Sequence, residues 1–340
     1  MIRNVPYHRA NLLTKETSTA WEDSYRTLSQ ECGVVALSNW SQVDVTGIDR
    51  ATFLHNFCTN DVRRLVPGQC CEAFLPNVKG KIQAHLFLFV EMDRICLLSV
   101  PGQADQIIAH LGRHIIREDV ELADSTGKDT WSIIVGPAAE HLFASLPEVK
   151  GELPTEPYQH ITCQIEGRQC LVARLPLLWP GGFVLRSEGT GPITEIFELP
   201  MIDTSSPAWT SLRVESQFPL FDTDFDDSNL PQEVNRDTQA ISFTKGCYLG
   251  QETVARIDAL GHVNKKLVIV SLDGEATPKS GTKLLRGDQE GGTITTSCWS
   301  PRMSRPAALA MVKREANHLG SELKCPAGTA VVVASMWRED

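Results

Sequence analysis

The chain has 340 residues, enough for two or three compact units, and 42% of them are hydrophobic, as in an ordinary folded protein. Its formal charge of −10 argues against broad electrostatic binding to DNA, RNA or anionic lipid, which demand a basic surface. No apolar run approaches the ~20 residues that a membrane-spanning helix requires, and the sequence shows neither an internal repeat nor a low-complexity tract.

The first stretch, MIRNVPYHRANLLTKETSTAWEDSYR, lacks the apolar core and small-residue cleavage site of a secretory signal. Glu16, Glu22 and Asp23 are unusual for an organelle transit peptide, so the expected location is the cytoplasm. GVVALSNWSQVDVTG (33–47) reads as two short strands around a polar turn. DRATFLHNFCTNDV then predicts a helix capped by Asp49, with Ala51, Leu54 and Phe57 on one face. CCEAFLP and KIQAHLFLFVE read as a hairpin closed by NVKG, with Ile82, Ala84, Leu86, Leu88 and Val90 sharing one face. RICLLSV adds a strand and GQADQIIAHLGRHII an amphipathic helix. WSIIVG runs into PAAEHLFASLP, a strand and then a helix opened by Pro137.

From residue 159 the pattern turns strand-rich, with QHITCQIEG, QCLVARLP and GGFVLRS, before PAWTSLRVESQ predicts a helix. After Gly261 the texture becomes short strands between glycine turns: KKLVIVSLDG, GTKLLRG, GGTITTSCW, AALAMVKRE and GTAVVVASMW. The fold class predicted is α+β, built of hairpin-plus-helix units, followed by a small β-barrel. The divisions predicted are an N-terminal extension (1–32), an α+β region of two interleaved subdomains (33–257) and the barrel (262–340).

Ten cysteines stand at 32, 58, 70, 71, 96, 163, 170, 247, 298 and 325, with no C-x-x-C pair and most inside apolar stretches. That is the pattern of buried, reduced thiols rather than of a disulfide frame or a zinc site. Cys247 is the exception in its setting, FTKGCYLGQETVAR. Gly246 and Gly250 suit a tight loop, and GQETVARI predicts a helix with Glu252 and Thr253 in its first turn. A helix N-terminus and the nearby Lys245 both favour a thiolate there. A glycine-rich turn that merely contains a cysteine fits the local residues equally well.

The acidic run FDTDFDDSNLPQE places Asp222, Asp224, Asp226 and Glu233 at positions 1, 3, 5 and 12 of a calcium-loop template. Asp227 occupies the position where that template wants glycine, and Pro231 falls where the exiting helix begins, so a solvated acidic loop is the better reading. No metal site is expected. No G-x-G-x-x-G, Walker loop, G-x-S-x-G or H-E-x-x-H occurs, and His110 and His114 read as the solvated face of a helix.

KGCYLGQETVARIDALGHV resembles the signature of the YgfZ-type folate-binding proteins, relatives of the glycine-cleavage T-protein. The likeness extends, in the family's order, through TGIDRATFLHNFCTNDVRRLVPGQ, LPNVKGKIQAHLFLF, SLRVESQFPLFDTDF…LPQE and GGTITTSCWSPRMSRPAALAMVKRE. It also accounts for the acidic loop before LPQE. The resemblance implies a tetrahydrofolate (or one-carbon derivative) cofactor, a central folate cavity, and a role in assembling or repairing iron–sulfur clusters in client enzymes, tRNA-modifying enzymes among them. It further implies that Cys247 is the reactive residue, tuned by Lys245, with Gly246, Tyr248, Gly250, Gln251, Glu252 and Arg256 supporting its loop. Arg213, Glu215 and Asn77 are implied as folate contacts, with an internal ion pair to Glu215 or a nearby acid as the alternative for Arg213. The partners implied are iron–sulfur client enzymes or assembly proteins.

Two departures from the family's transferases are informative. Where those carry an aspartate on the hairpin, Ala84 and His85 stand here, and the turn that supplies a pterin-binding glutamate is replaced by WPGGF. Loss of both carboxylates removes general acid/base support for aminomethyl transfer. A one-carbon transferase using Glu215 or Asp222 instead, and a scaffold without folate, are the rival expectations.

Overall fold

The computed structural model describes residues 20–146, 149, 153–191, 197 and 199–335. Expectations for residues 1–19, Glu16 included, and for the last five residues lie outside the described residues. In chain order the elements are α1 (Ala20–Gln30), β1 (Gly33–Ala36), β2 (Ser41–Thr46), α2 (Arg50–Phe57), β3 (Cys70–Pro76), β4 (Ile82–Val90), β5 (Ile95–Ser99) and α3 (Ala104–Gly112). Then come β6 (Glu121–Asp124), β7 (Asp129–Val135), α4 (Ala139–Ala144), β8 (Gln159–Ile165), β9 (Arg168–Arg174), β10 (Gly182–Glu188), β11 (Met201–Asp203) and α5 (Pro207–Glu215). A single turn α6 (Asp237–Ala240) and the helix α7 (Gln251–Leu260) lead to β12 (Lys265–Leu272), β13 (Lys283–Arg286), β14 (Gln289–Ser300), β15 (Arg305–Lys313), β16 (Glu322–Cys325) and β17 (Gly328–Val333).

The strands form two open sheets and a closed barrel. One sheet has the order β3-β4-β5-β2-β6 and the other β11-β1-β7-β10-β9-β8, while β12-β15-β14-β13-β16-β17 closes on itself. The predicted α+β class with a terminal barrel is what the chain adopts. The two strands read at 33–47 exist, but they do not pair with each other. β1 pairs with β11 and β7, β2 with β5 and β6, so the polar turn between them carries the chain from one sheet to the other.

Period-two alternation divides the core. Val35, Ile133 and Val135 point into the space between the two sheets with Phe87, Phe89 and Leu98, whereas Val34, Ile134 and Leu185 back onto α4 through Phe143. On the first sheet, Val43, Leu86 and Leu88 face Phe53 and Leu54 of α2 and Ile107 and Leu111 of α3. The expected single face of β4 needs one correction. A bulge between Leu75 and Pro76 shifts the register, and Ile82 joins the inter-sheet core while Ala84, Leu86, Leu88 and Val90 face α2 and α3.

Three local expectations are also corrected. Asp49 sits at the N-cap of α2, yet its carboxylate accepts from the Asp119 backbone N–H instead of capping the helix. Pro137 precedes the cap Ala138 of α4 and is outside its first turn. His110 is buried, where a solvated face was expected, because α3 turns it inward behind Ile107 and Leu111; burial lowers its ring to about 4.

Candidate functional site

Helix α2 ends at Phe57, and a helix end leaves carbonyls without intrahelical partners. Lys245 meets that need across the fold. Its Nζ donates to the carbonyls of His55 at 2.5 Å, Cys58 at 2.6 Å and Asn60 at 2.9 Å, three donors for three acceptors. The ammonium lies 4.7 Å from the centroid of the buried Tyr248 ring, a cation–π contact on its remaining side. Burial pulls the lysine down to about 8, with Cys58, Asp61 and Cys71 opposing. Further bonds lay the loop along the helix end: Ser242 N–H to the Thr59 carbonyl at 3.0 Å and Leu249 N–H to the Asn56 carbonyl at 2.9 Å. Lys245 is therefore a staple of the loop, its hydrogens spent on carbonyls.

The other flank of the loop is the β3–β4 turn. Gly250 has φ +79°, and a Cβ there would stand 2.3 Å from the Asn77 carbonyl oxygen, so only glycine lets the two backbones meet. At Gly80, with φ +74°, a Cβ would likewise stand 2.8 Å from the Thr253 Cβ. The motifs NVKG and KGCYLGQE, far apart in sequence, are thus pressed together. Asn77 serves its own turn, its Oδ1 accepting from the N–H groups of Lys79 and Lys81. Gly246 needs no left-handed backbone, and Glu252 and Arg256 lie exposed on α7, with Gln251 half-buried at its start.

Between these anchors Cys247 is exposed. Of the other nine cysteines, Cys325 is half-buried and the rest are buried. Burial raises the thiols of the buried ones, for example to about 12 at Cys58 and about 11 at Cys32 and Cys163.

Arg213, Glu215 and Asn77 do not come together. Arg213 is buried and donates to Asp224 Oδ2 at 2.5 Å, to the Phe218 carbonyl and to Thr296 Oγ1. Asp224 in turn accepts from Thr295 and Thr296, tying α5 to the barrel. Glu215 turns to the opposite side, accepting from Tyr25 of α1 at 2.6 Å and from Ser300. Glu233, counted in the calcium template, accepts from the side chain of Asn229 and the backbone of Leu230. The four template carboxylates thus serve different partners. Asp222 and Asp226 line a cleft of about 360 Å³ between the acidic loop and the barrel, with Phe225, Lys265, Met311 and Lys313.

Two groups went unread in the sequence. Glu72 is fully buried and bonded to His85 Nε2 at 2.8 Å and to both Nε and Nη2 of Arg236. Its carboxyl would be raised by burial, but Arg236 and His85 overcome that and hold it at about 2. His55, in the last turn of α2, is likewise buried, with Nδ1 3.0 Å from Asp61 Oδ1. Nothing in a one-dimensional pattern pairs His55 with a loop 190 residues away; HNFCTND was legible only as a helix end.

The family described as GCVT N-terminal domain matches residues 1–183, and that described as glycine cleavage T-protein C-terminal barrel domain matches residues 265–337. The chain belongs to the glycine cleavage T-protein family. The tRNA-modifying protein YgfZ of Yersinia enterocolitica is 28% identical over 256 residues, 74% of this chain and 74% of that one. A chloroplastic protein of Arabidopsis thaliana named as a transferase is 27% identical over 296 residues, 85% of this chain and 67% of that one. The glycine cleavage system aminomethyltransferase T of Bartonella henselae shares the fold, with a TM-score of 0.80 over 93% of this chain and 88% of that one at 17% identity. Within the T-protein family the chain is of the YgfZ type. Among the described residues no helix is long and apolar enough to cross a membrane.

Proposed function

We propose that this T-protein relative binds a reduced folate and serves iron–sulfur cluster assembly or repair in client enzymes, with Cys247 as its reactive residue. The observation that carries this reading is the setting of Cys247. It is the exposed thiol of the ten, held in a loop whose flanking residues Lys245, Tyr248 and Gly250 are fixed by cage, ring and close backbone contact. A fold seldom spends a buried lysine and an obligatory glycine on presenting one thiol unless that thiol acts.

The cleft beside the barrel suits a folate. Asp222 and Asp226 are acceptors of the kind a pterin amino group needs, Phe225 offers a ring, and Lys265 and Lys313 offer cations to a glutamyl carboxylate. Aminomethyl transfer fits less well. Ala84 and His85 stand where the transferases carry a hairpin aspartate, and the His85 ring is bonded to Glu72 and packed against Phe74 and Phe87, with centroids 5.0 Å away in each case.

The test has two arms. Anaerobic calorimetry of tetrahydrofolate against wild type, Asp222→Asn and Lys313→Ala should show binding that either substitution weakens. Arg213→Ala is a poor probe because it strips Asp224 of its buried partner. In cells, Cys247→Ser should lower the cluster content of client enzymes. Full cluster content with Cys247→Ser, or no heat of binding with millimolar ligand, rejects the corresponding half of the proposal.

A further inference from the structure

Resting on the reading of Cys247 as the reactive residue, we propose that His55, oriented by Asp61, accepts the proton of the Cys247 thiol, so that the loop carries a cysteine–histidine–aspartate constellation. His55 is 3% exposed. Its Nδ1 faces Asp61 Oδ1 at 3.0 Å, off the line of a straight hydrogen bond but close enough for the carboxylate to favour the proton on that nitrogen. Nε2 is then the acceptor. A Cβ built on Gly246 would lie 3.8 Å from Nε2, which makes no hydrogen bond among the described residues. Cys247 is the next residue, its Cα about 3.8 Å further along the chain. A buried imidazole thus has one nitrogen beside a carboxylate and the other beside the segment that carries the exposed thiol. Nucleophile, base and orienting acid in that order are what thiol activation requires.

The charges around the ring favour the form that can take a proton. Burial lowers His55, Lys245 and Arg63 push the same way, and Asp61 opposes them. Asp61 is itself fixed, bonded to Arg64 Nε at 3.1 Å and receiving its backbone geometry from Asn60, whose Oδ1 accepts its N–H. Lys245 uses the backbone carbonyl of His55, not its ring, so the side chain of His55 can be changed without dismantling the cage.

Alkylation reads the step directly. With iodoacetamide the sulfur lone pair forms the S–C bond, the C–I bond breaks with iodide leaving, and the thiol proton passes to Nε2 and on to solvent. The initial rate at Cys247 is measured by peptide mapping on the full chain, from about pH 5 to 8, for wild type, His55→Gln, Asp61→Asn and His55→Ala with and without added imidazole. His55→Gln should slow labelling ~10-fold or more near neutrality. It should also remove the acid-side inflection that protonation of His55 gives the wild type. Asp61→Asn should fall between, and imidazole should restore His55→Ala. Equal rates and profiles in wild type and His55→Gln, with Cys58 unlabelled in both, overturn the proposal. If His55→Gln opens the loop and exposes Cys58, imidazole decides: no recovery of His55→Ala also overturns it. Neither folate nor client enters these measurements. His55-dependent labelling with full client function in Cys247→Ser would therefore reject the proposed function and leave the base standing.

Discussion

Two buried polar clusters meet at Asn60, whose carbonyl accepts from Lys245 and whose side chain donates to the Glu72 carbonyl, and they end differently. Around Glu72 the carboxylate is fully answered: His85 and Arg236 hold both of its oxygens, Phe74 stacks on His85, and Phe218 lies under the Arg236 guanidinium at 5.9 Å. Around Lys245 the cation is equally well answered, yet the cluster opens onto an exposed sulfur and an imidazole nitrogen without a partner. A network closed on itself is architecture, however many charges it contains. A network that is rigid but incomplete at one edge is where chemistry can be done.

The closed cluster should break hardest. Glu72→Gln leaves the Arg236 charge buried without its counter-charge, and a loss of ~3–5 kcal/mol is expected in the denaturant midpoint. The pH dependence follows from the same group. The folded carboxyl is depressed from 4.5 to about 2, so its contribution is fully present above the unfolded value and is lost as pH falls from about 4.5 towards 2. Acid unfolding of Glu72→Gln should therefore be flatter over that window. A variant as stable as wild type, with an unchanged acid limb, would mean that the cluster is not the anchor described here.

The next effect is steric. Gly250→Ala must place a methyl 2.3 Å from the Asn77 oxygen at φ +79°, and both backbones are fixed. A loss of ~1–3 kcal/mol is expected, of the size seen for strained backbone positions. Hydrogen exchange should show it concentrated in residues 77–81 and 242–251. A uniform loss across the barrel would contradict the clamp between the two motifs.

How much of each cluster is legible in the sequence depends on the distance over which each group works. Alternation gave β4, β7, β9 and the barrel strands, because burial on a pleated strand is decided by neighbours two residues away. It missed β16, a four-residue strand with one buried leucine, and the bulge that moves Ile82, since a single extra residue leaves no periodic trace. Cys247 stood out because glycines at 246 and 250 are a local signal. Its partners did not. The Lys245 cage draws on residues 55–60, Glu72 draws on Arg236, and Arg213 on Asp224 through a turn. Such charge pairings are set by the packing of sheets, and no spacing rule encodes them.

Lys245→Met tests the open cluster with the smallest expected change in stability and the most local readout. The methionine keeps much of the buried stem and the contact with Tyr248 but gives the three carbonyls no donor. The Asn60 carbonyl is half-buried, where water can take over, and losing the ammonium also removes the cost of burying it, so only ~1–2 kcal/mol should be lost globally. The loop itself should loosen, with amide exchange rising at 242–250 and Cys58 gaining reactivity as its cover lifts. Lys245→Arg should fail as well, because a planar fork cannot converge on three carbonyls as an ammonium can. If both variants keep the loop as protected as wild type, the lysine is packing and not a staple. The contrast between a closed and an open cluster would then rest on His55 and Cys247 alone.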